Sequence, residues 1–181
     1  TITLTAGTHT IRWTYQKDSS VSVGQDTAWV DSIVWPDGTV ETFQGAGLPA
    51  GWTTGGDASW YVAQDGVAGD HAMTGWGGPG SKSIRAGDIA DSQTSYVEVT
   101  KTVTAGEMTF YLWVDSEYGT SDYYDYVRVA RDGTTIYQID EIDGGVALPT
   151  TVGYPASHAN TIAVGASTDF DFRADYSQFG S

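Results

Sequence analysis

Cysteine is absent from the 181 residues. That excludes disulfides, thiolate nucleophiles and thiolate metal sites, so stability must come from core packing or bound ions, and the redox compartment stays undecided. Basic residues are scarce: 8 Lys and Arg stand against 23 Asp and Glu, a formal charge of −15. Such a field repels phosphate backbones and anionic lipid, which excludes nucleic acid and acidic membranes as natural partners. The three histidines, His9, His71 and His158, lack metal-ligand spacing, which argues against zinc. No apolar run approaches the roughly 18 residues that span a bilayer, so no membrane insertion is expected. Neither a signal peptide nor an initiating Met precedes Thr1, and the sequence reads as a mature or excised piece of something longer. The glycine-rich Gly75-Trp76-Gly77-Gly78-Pro79-Gly80 is not followed directly by Lys-Ser/Thr, so it is not a phosphate loop.

What is abundant points to strands. There are 23 Gly and a rich set of aromatics, 7 Trp, 11 Tyr and 5 Phe, and these with many Thr and Val favour pleated strands broken by turns. The length suits one well-packed β-sandwich. Alternating runs predict strands over 10–15, 28–35, 39–43, 60–63, 95–104, 108–114, 124–130 and 135–139. In Thr109-Phe110-Tyr111-Leu112-Trp113-Val114, alternate side chains face opposite sides of a sheet, as a half-buried sandwich strand requires. Pro36-Asp37-Gly38, Ala105-Gly106 and Arg131-Asp132-Gly133 supply turn chemistry between these runs. Residues 66–87, rich in glycine, read as a long surface loop. The expected class is all-β, a sandwich of two antiparallel sheets.

Longer phrases carry a resemblance. Ala6-Gly7-Thr8-His9-Thr10-Ile11-Arg12-Trp13-Thr14-Tyr15, then Lys17-Asp18, then Asp26-Thr27-Ala28-Trp29-Val30-Asp31-Ser32-Ile33, resembles the last strands of MAM-like jelly-roll modules of bacterial surface proteins and secreted proteases. Glu41-Thr42-Phe43, Leu48-Pro49-Ala50-Gly51-Trp52-Thr53 and Trp60 resemble the first strand and following loop of the same modules, and 95–106 with 108–132 resemble their middle. The family's final strands thus come first. Either the module is circularly permuted or it was cut from a tandem array, and in both cases residues 1–36 can complete a sandwich that 39–140 leave unfinished. Residues 1–145 are expected to form that jelly roll.

The tail, 146–181, is different. Its stretch Gly153-Tyr154-Pro155-Ala156-Ser157-His158-Ala159-Asn160-Thr161-Ile162-Ala163-Val164-Gly165 onward resembles the segment of subtilisin-like proteases between the oxyanion-hole region and the nucleophile. The family's Asp, His-Gly-Thr and Gly-Thr-Ser motifs are missing, so no nucleophile and base can be assembled. The resemblance implies a context beside a secreted subtilase, extracellular or at the cell surface, with the parent protease domain as a partner. Within the tail, Ile162 and Val164 are expected to pack inward and Asp169, Asp171 and Arg173 to face water.

Two groups of side chains carry chemistry. If the Pro36-Asp37-Gly38 hairpin forms, Asp31 and Glu41, with Asp26 as a third, come close on neighbouring strands, and the resemblance implies a calcium site there. Calcium accepts paired carboxylates and backbone oxygens; the alternative is an ordinary solvated hairpin face. The second group, Asp115, Glu117, Asp122 and Asp125 interleaved with Tyr118, Tyr123 and Tyr124, combines sugar-stacking rings with hydroxyl acceptors and reads as a glycan patch or a solvated loop. Trp76, among glycines, is the best exposed stacking surface. The same carboxylates could serve a glycosidase, which needs two carboxyls at a defined separation. Trp13, Trp29, Trp35 and Trp113 read as core, and Trp52 and Trp60 as loop-side. The leading expectation is a non-catalytic module that is calcium-stabilised and binds a polysaccharide or cell-surface glycan; a carbohydrate-active hydrolase and a structural spacer are its competitors.

Overall fold

A computed structural model of the chain describes residues 1–64, 81–117 and 124–140 and the short strand Val146–Ala147. Its elements, in chain order, are β1 (Ile2–Leu4), β2 (Gly7–Gln16), β3 (Thr27–Val34), β4 (Val40–Glu41), β5 (Trp52–Gly56), β6 (Tyr61–Gln64), β7 (Lys82–Arg85), β8 (Thr94–Val103), β9 (Gly106–Asp115), β10 (Tyr126–Arg131), β11 (Thr134–Asp140) and β12 (Val146–Ala147). All pairings are antiparallel, in two sheets. One runs β11-β10-β2-β8-β5; the other runs β1-β9-β3-β7-β6, with β12 added on β9 and β4 on β3.

The alternation in the sequence builds the space between them. On β2, Ile11, Trp13 and Tyr15 are fully buried while their neighbours are half-exposed, and β8, β9 and β10 contribute Val97, Phe110, Leu112, Val127 and Val129 on the same period of two. Trp13 stacks on Trp52 at 5.8 Å and meets Phe110 of the facing sheet edge-on at 5.5 Å; Phe43 in turn meets Trp52 at 5.1 Å. Aromatic rings crossing from one sheet to the other are the centre of a β-sandwich. Within the first 34 residues, β2 and β3 are central to the two sheets, β2 between β10 and β8 and β3 between β9 and β7, while β1 ends its sheet beside β9.

Turn residues set the hairpins. Across Pro36-Asp37-Gly38 the Trp35 amide donates to the Thr39 carbonyl and the Gly38 amide to the Trp35 carbonyl, with Gly38 at φ 83°, and β3 then pairs with β4 through Ile33↔Glu41 and Val34↔Val40. Asp132 and Gly133, both at positive φ, join β10 to β11 as a tight hairpin turn needs. His9 closes that turn onto β2: its Nδ1 lies 2.7 Å from Asp132 Oδ2, while the Thr10 amide donates to Asp132 Oδ1 at 2.9 Å.

One local feature departs from simple alternation. Between Asp31 and Val34 the β3–β9 register slips by one residue, and Ser32 sits at φ 51°. The bulge switches the facing residues, so that Ala28 and Val30 point into the core before it and Ile33 and Trp35 after it. Asp31 is thereby left on the outer side of β3 beside the bulge.

Candidate functional site

Asp31 is the notable side chain. It is only 4% exposed, its Oδ2 receives a weak bond from the Ser32 hydroxyl at 3.4 Å, and its Oδ1 has no hydrogen-bond partner. Burial pushes its carboxyl up to about 7, and the neighbouring Glu41 charge adds to the rise. Glu41 arrives from β4, one strand away, and spends Oε1 on the Phe43 amide at 3.2 Å. Phe43, at φ 53°, turns the chain so that its own ring enters the core. A buried carboxylate oxygen with no donor, next to a second carboxylate, is unfavourable unless a cation or proton joins it. The residues present therefore fit a hard cation. Among the described residues no group of three His, Cys, Asp or Glu side chains converges on one point, so carbonyl and water oxygens would complete the shell that calcium needs.

Asp26 does not belong to this pair. It precedes β3, and the four residue-to-residue steps of extended strand from Thr27 to Asp31 cover roughly 13 Å. Instead it joins a second, buried cluster. Lys17 Nζ contacts Asp26 Oδ2, donates to Ser22 Oγ at 2.9 Å, and lies 3.5 Å from Asp125 Oδ2 and 3.7 Å from Asp91 Oδ1. Tyr15 O–H donates to Asp26 Oδ1 at 3.0 Å, and the Asp18 amide donates to Asp125 Oδ1 at 2.8 Å. The Lys17 and Asp125 side chains are 1% and 0% exposed. Burial lifts Asp125 to about 6, against the pull of the Asp18 amide. Burial also opposes the charges of Lys17 and Asp26, but their mutual contact outweighs it, holding Lys17 above and Asp26 below their ordinary values.

The expected glycan patch is thus partly dismantled. Asp125 belongs to the interior rather than to a solvated loop. Glu117 is half-buried with Oε1 unpartnered, while Tyr118, Asp122, Tyr123 and Trp76 lie outside the described residues, as does all of 150–181. Trp13, Trp29, Trp35 and also Trp60 are buried, and Trp52 packs against the core from β5. Trp60 is drawn in by its amide, which donates to Thr54 Oγ1 at 2.7 Å.

What sequence reasoning did not single out is the outward face of the five-stranded sheet. Register places Tyr96, Thr14, Arg128 and Gln138 in one row across β8, β2, β10 and β11. Arg12, one step along β2, lies over the Tyr96 ring at 3.9 Å and bonds Glu98 at 2.7 Å; Arg128 bonds the Tyr126 hydroxyl at 2.7 Å. The alternation of β2 already implied this face, since Arg12 and Thr14 occupy the positions between its buried residues. No family model, no curated protein and no solved structure matches the chain.

Proposed function

We propose that the chain is a non-catalytic binding module, a jelly roll of an extracellular subtilase-like protein, which takes a polysaccharide on the outward face of its five-stranded sheet and is stabilised by calcium at Asp31 and Glu41. The observation that carries the binding reading is the row Tyr96, Thr14, Arg128 and Gln138 with its flanking Arg12 and Tyr126. Tyr rings offer flat apolar faces for sugar rings, and guanidinium, amide and hydroxyl groups on the same plane exchange hydrogen bonds with sugar hydroxyls. The rigid β-grid holds them in place before binding, which limits the ordering cost. Calcium is supported by the partnerless Asp31 Oδ1, and the protease context by the residues after Gly153.

The test is a glycan array followed by calorimetry on the best hit, with Tyr96→Ala and Arg128→Ala beside the parent chain. Saturable binding lost in both variants, with no sugar released on long incubation, supports the reading. Binding that survives both substitutions moves the site elsewhere, and released sugar would make the chain a hydrolase.

A further inference from the structure

The buried cluster of Lys17, Asp26 and Asp125 has no part in either proposed site, and its composition is unusual. The Lys17 ammonium and the Asp125 carboxyl are buried, with Asp26 18% exposed between them and the fully buried Tyr15, whose hydroxyl donates to Asp26. Ions so placed are costly to desolvate, and a pair in direct contact can relieve that cost by ceasing to be ions. Lys17 follows β2, Asp26 precedes β3 and Asp125 precedes β10, so three separate backbone segments hold the groups together.

We propose that Lys17 Nζ and the Asp26 side chain condense into an intramolecular amide, with Asp125 as the proton carrier. The proton of the Lys17 ammonium passes along their contact to the Asp26 carboxylate, leaving a neutral amine and a carboxylic acid. The nitrogen lone pair attacks Asp26 Cγ and a C–N bond forms, while the carbonyl electron pair moves onto Oδ1, where the Tyr15 O–H is already donating at 3.0 Å. Asp125, whose Oδ2 lies 3.5 Å from Lys17 Nζ and whose neutral acid is favoured by burial, protonates the departing hydroxyl. The C–O bond breaks, water leaves, and the second nitrogen proton returns to Asp125. Amine and acid have become amide and water, and nothing else is consumed. Fixed contact replaces a bimolecular encounter, and burial resists the reverse hydrolysis. In a chain without cysteine, such a bond would close the 17–26 loop, with its exposed residues 19–24, into a covalent ring without redox chemistry.

The experiment is the intact mass of the purified full chain under denaturing conditions, followed by fragmentation of its tryptic peptides. The expected mass is below that of the sequence by one water, with no tryptic cleavage after Lys17 and a single peptide running from Trp13 to Lys82 that fragments as an internal loop closed between Lys17 and Asp26. Asp125→Ala, which retains both joined groups, should give the full mass, as should Lys17→Arg. A full sequence mass for the folded parent chain overturns the proposal however the variants behave. So does a lost water mapped to any other pair, and a bond that still forms in Asp125→Ala removes Asp125 from the chemistry.

Discussion

The Asp31 site makes a prediction in which pH and calcium act against each other. Without a cation, Asp31 is a carboxyl raised by burial from 3.8 to about 7. The folded state then holds a proton that the unfolded chain has released, so Asp31 favours folding most fully below the unfolded value, and the benefit disappears as pH rises through 7. At 1.36 kcal/mol per tenfold change in proton affinity, the ceiling on this loss is about 4 kcal/mol. For a chain of this length that corresponds to roughly 8–16 °C of melting temperature. Calcium binds the carboxylate and not the acid, so it should restore what deprotonation removes. The assay is a set of thermal melts at pH 5 and pH 8, each with chelator and with millimolar calcium. We expect a calcium increment that is small at pH 5 and large at pH 8, where a concentration of a hundred times Kd alone contributes about 2.7 kcal/mol. In Asp31→Asn both the calcium increment and its pH dependence should collapse. Equal increments at the two pH values, or an increment that survives Asp31→Asn, would refute the reasoning.

Phe110→Ala removes the ring that meets Trp13 between the sheets and should cost about 3–5 kcal/mol, read as a fall in the denaturant midpoint at unchanged slope. His9 should titrate above its ordinary value by NMR because Asp132 bonds its ring, and Asp132→Asn should return it; the stabilisation is present below the unfolded value, is lost as pH rises through the raised one, and weakens with salt because the pair is exposed. No peptide hydrolysis and no labelling by a serine-directed phosphonate are expected, and stoichiometric labelling abolished by His158→Ala would contradict that.

Local periodicity made much of this fold readable in advance. The runs Thr109-Phe110-Tyr111-Leu112-Trp113-Val114 and Tyr126-Val127-Arg128-Val129 alternate so regularly that burial follows residue by residue, and Pro36-Asp37-Gly38 announced a hairpin that brings Glu41 beside the β3 bulge. Three things escaped. Strands β1, β5 and β7 did not register: β1 has three residues, β5 ends in Gly55-Gly56, and β7 follows a glycine-rich stretch that reads as a surface loop. The slip at Ser32 reverses the facing of β3 in a single residue, and nothing in Asp31-Ser32-Ile33 advertises it. The Lys17 cluster joins Asp26 to Asp125, 99 residues apart, a distance over which pattern is silent; Asp26 read as a third calcium ligand and Asp125 as part of a glycan patch or solvated loop because only tertiary packing removes their water.

The placement of β2 also governs the order of events during synthesis. Gln16 pairs with Thr94 and Gly7 with Val103, while Arg131 lies opposite Ile11. Roughly 80–100 residues must therefore follow β2 before its first neighbour exists, which at about 5–20 residues per second is a wait of about 4–20 s. During that interval Ile11, Trp13 and Tyr15 have no sheet to enter. Contacts so distant along the chain also slow the search that follows release. The polar alternation of β2, with Thr8, Thr10, Arg12 and Thr14 between its apolar residues, then has a second use: it keeps the waiting segment dispersed in water until its neighbours arrive.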